Sequence, residues 1–283
     1  MGKGTTMPEH EIYHARADAE RALLLAGTTS PFTITVRFAG GLTPSQRDAF
    51  AAAADRWAEV IVGDLPSVVV DDEVIDDVLI VAQGADIDGE GHILGQAHIT
   101  HVRPAGPEPS ALLPARGEMT FDKVDLAKME AEGILGDVIT HEMGHVIGVG
   151  SRWAAKGLLV GKGTTDPTFS GPAAMAEYHK LRGGSGDPVR VPVENTGGPG
   201  TADVHWRDRT FGNELMTGFV NPSPNPLSRV TVAALGDLGY QVDVDAADVY
   251  ELPVATEPAV RPAVHALAVT PVPVELPRTA LRV

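Results

Sequence analysis

Five consecutive residues, His141-Glu142-Met143-Gly144-His145, set two imidazoles four positions apart with a carboxylate beside the first. Residues four apart share one face of an α-helix, so both imidazoles can reach a single ion while Glu142 projects next to it. Zinc held by three protein ligands keeps an open position, where bound water acidifies to a pKa of about 7. A carboxylate beside that water removes its proton during attack on a peptide carbonyl and then delivers it to the leaving amine. The HExxH spacing therefore predicts a hydrolytic zinc site with Glu142 as general base. The competing reading is a helix surface carrying two solvated histidines.

Composition narrows the chemistry further. The 283 residues include no cysteine, which excludes disulfides, zinc fingers, iron–sulfur clusters, thiol catalysis and a thiolate latency switch. Any metal must use histidine and carboxylate. Lys and Arg number 22 against 38 Asp and Glu, a formal charge of −16 that repels phosphate backbones and anionic headgroups. Nucleic acid is therefore not an expected partner. No run approaches the roughly 20 apolar residues of a membrane span, and the first thirty residues lack the order of a signal peptide.

The elements that must position the motif follow from patterning. A helix is predicted from near Gly133 to Gly148, and steps of about 100° per residue place Leu135, Ile139, Met143, Val146 and Ile147 opposite the two histidines. Upstream, Phe32–Phe38 alternates as a strand with one buried face. Thr43-Pro44 then opens an amphipathic helix through Phe50, Ala53, Trp57, Val60 and Ile61, ending near Gly63. Val78–Ala82, Ile93–Val102 and Gly117–Asp122 read as further strands, so the class is mixed α/β with helices packed on a mixed sheet. Residues 1–30 read as a flexible start with one weak helix over Ala15–Ala26, and 31–150 as the unit ending in the zinc helix. Residues 151–250 are Gly- and Pro-rich, with short helices near Ala173–Leu181 and Thr231–Leu238. Residues 251–283 form a Pro/Val/Ala-rich tail or extended strap.

Two histidines leave the third ligand open. Glu177, on a following helix, is the candidate of a thermolysin-like arrangement, but no Asp follows it at the matching spacing. Gly148 stands where a metzincin helix stops, yet the compact metzincin motif would place its third His at residue 151, which is Ser. Farther on lie Val204-His205-Trp206, then Asn213-Glu214-Leu215-Met216-Thr217-Gly218, then Ala234–Tyr240. This pattern resembles the leishmanolysin family of metzincin proteases, in which an inserted subdomain separates the motif glycine from the third histidine. The resemblance implies a metzincin (zincin-like) fold, with an upper subdomain ending in the zinc helix and an irregular lower subdomain across a substrate cleft. It implies His141, His145 and His205 as zinc ligands, Glu142 as catalytic base, and Met216 as the methionine of a Met-turn beneath the metal. It also implies a zinc endopeptidase acting on protein or peptide substrates and a secreted location, although the sequence leaves the cytoplasm open; a monomer is the expected state. The alternative is a catalytically silent zinc-binding recognition or scaffold protein on the same fold.

Other groups carry weaker signals. His179 and His265 compete with His205 as third histidine, but neither precedes the Met216 turn. His98 and His101 lie three apart in a strand and point to opposite faces, and the backbone of Gly95–His101 is a candidate cleft rim that would add substrate as a strand. Asp86, Asp88 and Glu90 alternate around glycine as calcium ligands do, without the rest of a calcium loop. Asp71-Asp72-Glu73 with Asp76-Asp77 reads as a solvated acidic loop, and Asp122 and Asp125 as turn and cap residues.

Overall fold

The computed structural model describes residues 11–91, 94–219, 221–253 and 277–283. In chain order, β1 (Glu11–Arg16) lies antiparallel to β2 (Thr33–Phe38). Between them come a one-turn helix, α1 (Ala19–Arg21), and a π-helical turn over Ala22–Ala26. Residues 11–30 thus differ from the flexible start read in the sequence. Within β1 only Ala15 is deeply buried, so the strand has little apolar signal of its own. The ladder to β2 and the Tyr13 hydroxyl, donating to Asp55 at 2.7 Å, hold it in place.

In β2 the alternation appears as predicted, with Ile34, Val36 and Phe38 inward. Thr43 then caps α2 (Pro44–Val60): its Oγ1 accepts the Gln46 N–H at 3.3 Å while Gln46 Oε1 accepts the Thr43 N–H at 3.0 Å. The inner face of α2 includes Phe50, Ala53 and Trp57, and Phe50 meets Phe38 and Phe121 edge-on.

The acidic run is not a loose loop. β3 (Val68–Val70) and β4 (Glu73–Ile75) form a hairpin whose turn residues, Asp71 and Asp72, have φ of 49° and 65°, a region that Asp tolerates better than most residues. Asp71 pairs with Arg116 at 2.9 Å and Glu73 with Arg37 at 3.1 Å. Asp77 is a correction to the solvated reading, because it is buried. It accepts the Leu65 N–H at 2.7 Å and both the N–H and hydroxyl of Thr33 at 2.8 Å, and burial pushes its carboxyl up to about 6.

β5 (Val78–Ala85), β6 (Gly95–Val102) and β7 (Pro114–Asp122) complete the main sheet in the order β1-β2-β5-β7-β6. β2, β5 and β7 are parallel and β6 is antiparallel to β7. The continuous apolar run of β5 suits a strand covered on both faces. Val78, Ile80 and Ala82 join the main core, while Leu79 joins a second cluster with Val68, Val70, Ile75, Ala115 and Ala280. Asp122 then caps α3 (Lys123–Glu132), a helix absent from the sequence reading, and Gly133 at φ 73° separates it from α4 (Leu135–Ile147).

Past α4, β8 (Leu159–Val160), β9 (Thr168–Phe169), α5 (Pro172–Leu181) and β10 (Val191–Pro192) build a small sheet ordered β10-β9-β8 with its helix. α6 (Asp208–Phe211) and α7 (Arg229–Leu238) follow. At the C-terminus, β11 (Arg278–Thr279) runs parallel to β6 and β12 (Leu281–Arg282) antiparallel to β3. Ala280 between them donates its N–H to Val102 O at 2.8 Å. The end of the tail is therefore a strap joining two sheets, while its residues 254–276, including His265, lie outside the described residues, as do 1–10. One hydrophobic cluster is continuous from Ala15 to Tyr240.

Candidate metal centre

From His141 to its end α4 is buried on every side, whereas Gly136 in its first turn is exposed. Its predicted core face does enter the interior, but His141, Glu142 and His145 are buried as well, and the chain after residue 200 lies against both histidines through Leu215 O and His205. Close packing requires Gly144: a Cβ there would come 2.8 Å from both Met216 Sδ and the Trp57 ring. The N-terminal turn is tied down by Asp137, whose carboxylate accepts the N–H and Nδ2–H of Asn225 at 3.1 and 2.7 Å and the Ser223 hydroxyl.

At the other end, Gly148 at φ 119° reverses the chain, as a C-terminal glycine does. The N–H groups of Gly148 and Val149 return to Gly144 O at 3.1 and 2.9 Å. Ser151, standing where a compact motif would carry a histidine, donates its hydroxyl to His145 O at 2.6 Å. The same reversal brings Val149 O within 2.9 Å of His145 Nδ1.

His205 arrives from the opposite side. Gly150, at φ 71°, lies so close to Val204 O that a Cβ would overlap it at 1.8 Å. Glu194 N donates to His205 O, and Trp206 N donates to Met216 O at 3.0 Å. The segment carrying His205 is thus pinned on both sides.

The result is a triangle of imidazole nitrogens. His141 Nε2 lies 3.1 Å from the Nε2 of both His145 and His205, and the latter two are 2.9 Å apart. Each Nδ1 faces a backbone carbonyl: Leu215 O at 2.6 Å from His141, Val149 O at 2.9 Å from His145, and Thr201 O at 2.9 Å from His205. A carbonyl only accepts, so each Nδ1 carries the proton and each Nε2 presents a lone pair. Burial lowers all three basicities, His141 to about 3 and His145 to about 4, which keeps the rings neutral. Three lone pairs aimed at one another about 3 Å apart repel, and a cation between them removes the conflict. The donor set of three imidazole nitrogens suits zinc.

Glu142 adds a second sign. Both its oxygens are buried without a protein partner, and burial alone pushes its carboxyl up to about 8. A buried carboxylate that nothing in the protein satisfies is what a site for water and a cation would contain. Met216 is fully buried against Gly144, the residue before His145.

The remaining sequence candidates are not part of this triangle. Among the described residues, the groups close enough to hold a metal are these three histidines and the Asp64, Asp76, Asp77 group. Glu177 bridges Lys180 at 2.7 Å and Arg229 at 2.9 Å. His98 is exposed in the middle of β6, 4.0 Å from Glu118, and His101 is buried. A bulge between Ile99 and His101 sets the two histidines opposite Glu118 and Arg116, which share a face, so the alternation that was to part them is broken. The calcium reading of Asp86, Asp88 and Glu90 finds no support: Asp86 pairs with Lys123 and Glu90 with Lys128. That loop is shaped by Asp122 accepting the N–H groups of Ile87, Asp88 and Gly89, and by Asp125 accepting that of Gly91. Both aspartates are thus turn and cap residues as predicted. The carbonyls of Val149, Thr201 and Leu215 escaped the sequence because backbone acceptors carry no residue-type signal.

Comparison with known proteins identifies a family. A family model described as leishmanolysin matches residues 110–256, just over half of the chain. A leishmanolysin homolog of Crithidia fasciculata is 30% identical over 109 residues, covering 36% of this chain and 16% of that protein. A leishmanolysin-like peptidase of Caenorhabditis briggsae is 45% identical over 57 residues, 20% of this chain and 8% of the relative. One of Drosophila melanogaster is 35% identical over 98 residues, 32% and 13% respectively. The matched region thus spans a sixth or less of the length of these relatives. With the family model covering more than half of its residues, the chain belongs to the leishmanolysin family of zinc-dependent metallopeptidases.

Proposed function

We propose that this chain is a zinc-dependent endopeptidase of metzincin type, with His141, His145 and His205 as the metal ligands and Glu142 as the general base and acid. The observation that carries the reading is the convergence of three Nε2 lone pairs within 3.1 Å, each ring fixed by its own carbonyl. When bound, zinc would supply a Lewis acid for the scissile carbonyl, acidify water and, as a dication, favour the ionised form of Glu142.

Glu142 then takes the proton of the attacking water and passes it to the leaving amine nitrogen, so the carboxyl ends the cycle as it began. Its freedom from protein partners supports this role, since no hydrogen bond has to break first. Met216 closes the floor of the site against Gly144 and serves as the Met-turn methionine. An extended substrate would pair with the outer edge of β6. β11 already pairs with His101 and Val102, so the rim read in the sequence as Gly95–His101 shortens to residues 95–100.

The test is digestion of a protein mixture by the purified chain with and without a zinc chelator, the cut sites being mapped by mass spectrometry. Chelator-sensitive cuts are expected, and they should vanish in His205→Ala together with stoichiometric zinc. Zinc binding and cleavage that survive in His205→Ala would overturn the ligand set. A silent zinc-binding protein would bind metal and cut nothing.

A further inference from the structure

The three carbonyls that hold the histidines are not equivalent. Those of Val149 and Thr201 lie four residues from the ring they receive, within the same stretch of chain. Leu215 O, at 2.6 Å from His141 Nδ1, comes from a segment 74 positions away. What fixes that carbonyl decides how His141 is presented.

The peptide unit in question joins Leu215 to Met216, and its N–H donates to Glu214 Oε2 at 2.6 Å. A carboxylate grips one side of the peptide and an imidazole N–H the other. Glu214 is fully buried, and its second oxygen accepts the Ser228 N–H at 3.2 Å, the Ser228 hydroxyl at 2.8 Å and the Thr231 hydroxyl. Both hydroxyls already accept a hydrogen bond, Ser228 Oγ from Thr231 N at 3.4 Å and Thr231 Oγ1 from Trp206 Nε1 at 2.7 Å. Their own protons are therefore directed at Glu214, and the two backbone N–H groups can only donate. Burial pushes the Glu214 carboxyl up while these donors hold the charge. The pocket is built for a carboxylate that accepts on both oxygens.

We infer that Glu214 is a positioning residue for the metal site, acting on His141 through the Leu215–Met216 peptide. Its negative charge draws the Met216 N–H and polarises the peptide. Leu215 O becomes a stronger acceptor, which fixes the His141 ring and raises the electron density at Nε2. Histidine ligands commonly pass their second N–H directly to a carboxylate or carbonyl; here a carboxylate acts from one peptide away. The network also reaches the third histidine, because Trp206 follows His205 and donates its N–H to Met216 O. The inference rests on the proposed zinc reading, yet it concerns a residue outside the triangle.

The experiment measures zinc affinity by competition with a chromophoric chelator, and the imidazole N–H proton shifts of the zinc-loaded, 15N-histidine-labelled protein. In the unmodified protein the His141 Nδ1 proton should lie farthest downfield of the three ligand histidines. In Glu214→Gln zinc should bind about tenfold or more weakly, and the His141 proton should move upfield while those of His145 and His205 stay. Ser228→Ala leaves the Met216 contact intact and should lower the melting temperature with little change in zinc affinity. Equal zinc affinity in Glu214→Gln and the unmodified protein would overturn the inference while leaving the zinc site standing. Absence of stoichiometric zinc in the unmodified protein would instead sink the proposed function. Should Glu214→Gln not fold, the unmodified protein decides: a His141 proton no farther downfield than the other two refutes the relay.

Discussion

Glu142 pairs a high cost with a specific use. Neither oxygen has a protein partner, and a carboxyl so enclosed resists ionisation, which is why burial carries it to about 8. Proteins keep such a group where its proton must move. Replacement by Gln preserves the volume and removes only the ability to take a proton. Glu142→Gln should therefore reduce kcat/KM on a peptide substrate by about 10²- to 10⁴-fold with one zinc per chain retained, as judged by metal analysis of the same sample. A variant that loses zinc in parallel with activity would assign Glu142 to the ligand set instead. At this scale the sequence was legible where side-chain type carried the chemistry: His141, Glu142 and His145 follow from spacing alone. His205 needed the family resemblance, because its place depends on how a long insert folds back. Glu214 had no signal, since a glutamate in a turn reads as solvated until its four donors are seen.

Among the elements, tight turns matter most where backbone meets backbone. Gly150 and Gly157 have nearly the same φ, 71° and 70°, but a Cβ on Gly150 would strike Val204 O whereas one on Gly157 meets nothing within 4 Å. Gly157→Ala should cost only the dihedral preference, about 1 kcal/mol, in denaturant unfolding. Gly150→Ala must also displace the segment carrying His205, so its loss of stability should be clearly larger and accompanied by weaker zinc binding. A second test concerns Asp77, which joins the start of β2 to Leu65. Its folded pKa of about 6 exceeds the ordinary aspartate value of 3.8, so the folded state holds this proton more tightly than the unfolded chain. Stability from this group is present at low pH and declines as pH rises from about 4 to 6, by up to about 1.4 kcal/mol per pH unit. Asp77→Asn should lose donors' partners at every pH, yet its deficit relative to the unmodified protein should shrink between pH 4 and 6. A deficit constant across that range would refute the assignment. The sequence made β2, α2, β5 and α4 legible because their periodicity matches their burial. β1, α3 and the C-terminal strands were missed for one physical reason: β1 buries Ala15 alone, α3 buries Leu126 and Met129 with Asp125, and the two-residue strands exist only through their partners β6 and β3.

Across the whole molecule, no disulfide is available to join the chain before residue 150 to the chain after it. Among the contacts that join them instead, two differ in whether they need a cation. The continuous core from Ala15 to Tyr240 passes through both, and the Tyr240 hydroxyl donates to Ile147 O at 2.7 Å at the end of α4. The triangle of His141, His145 and His205 is the other, and without a cation it sets lone pair against lone pair. These contacts predict different consequences of stripping the metal. The core depends on no ion, so the zinc-free protein should stay folded, with unchanged far-ultraviolet circular dichroism. Zinc held by the proposed ligand set would instead favour the folded state, where the three histidines converge, and at a free concentration about a thousandfold above Kd it would contribute about 4 kcal/mol. In a chain of this size the difference corresponds to a fall in melting temperature on the order of 10 °C on adding excess chelator. His205→Ala breaks the triangle and should melt at a temperature that chelator no longer changes. If chelator leaves the melting temperature of the unmodified protein where it was, the three histidines do not join the two parts of the chain through a metal.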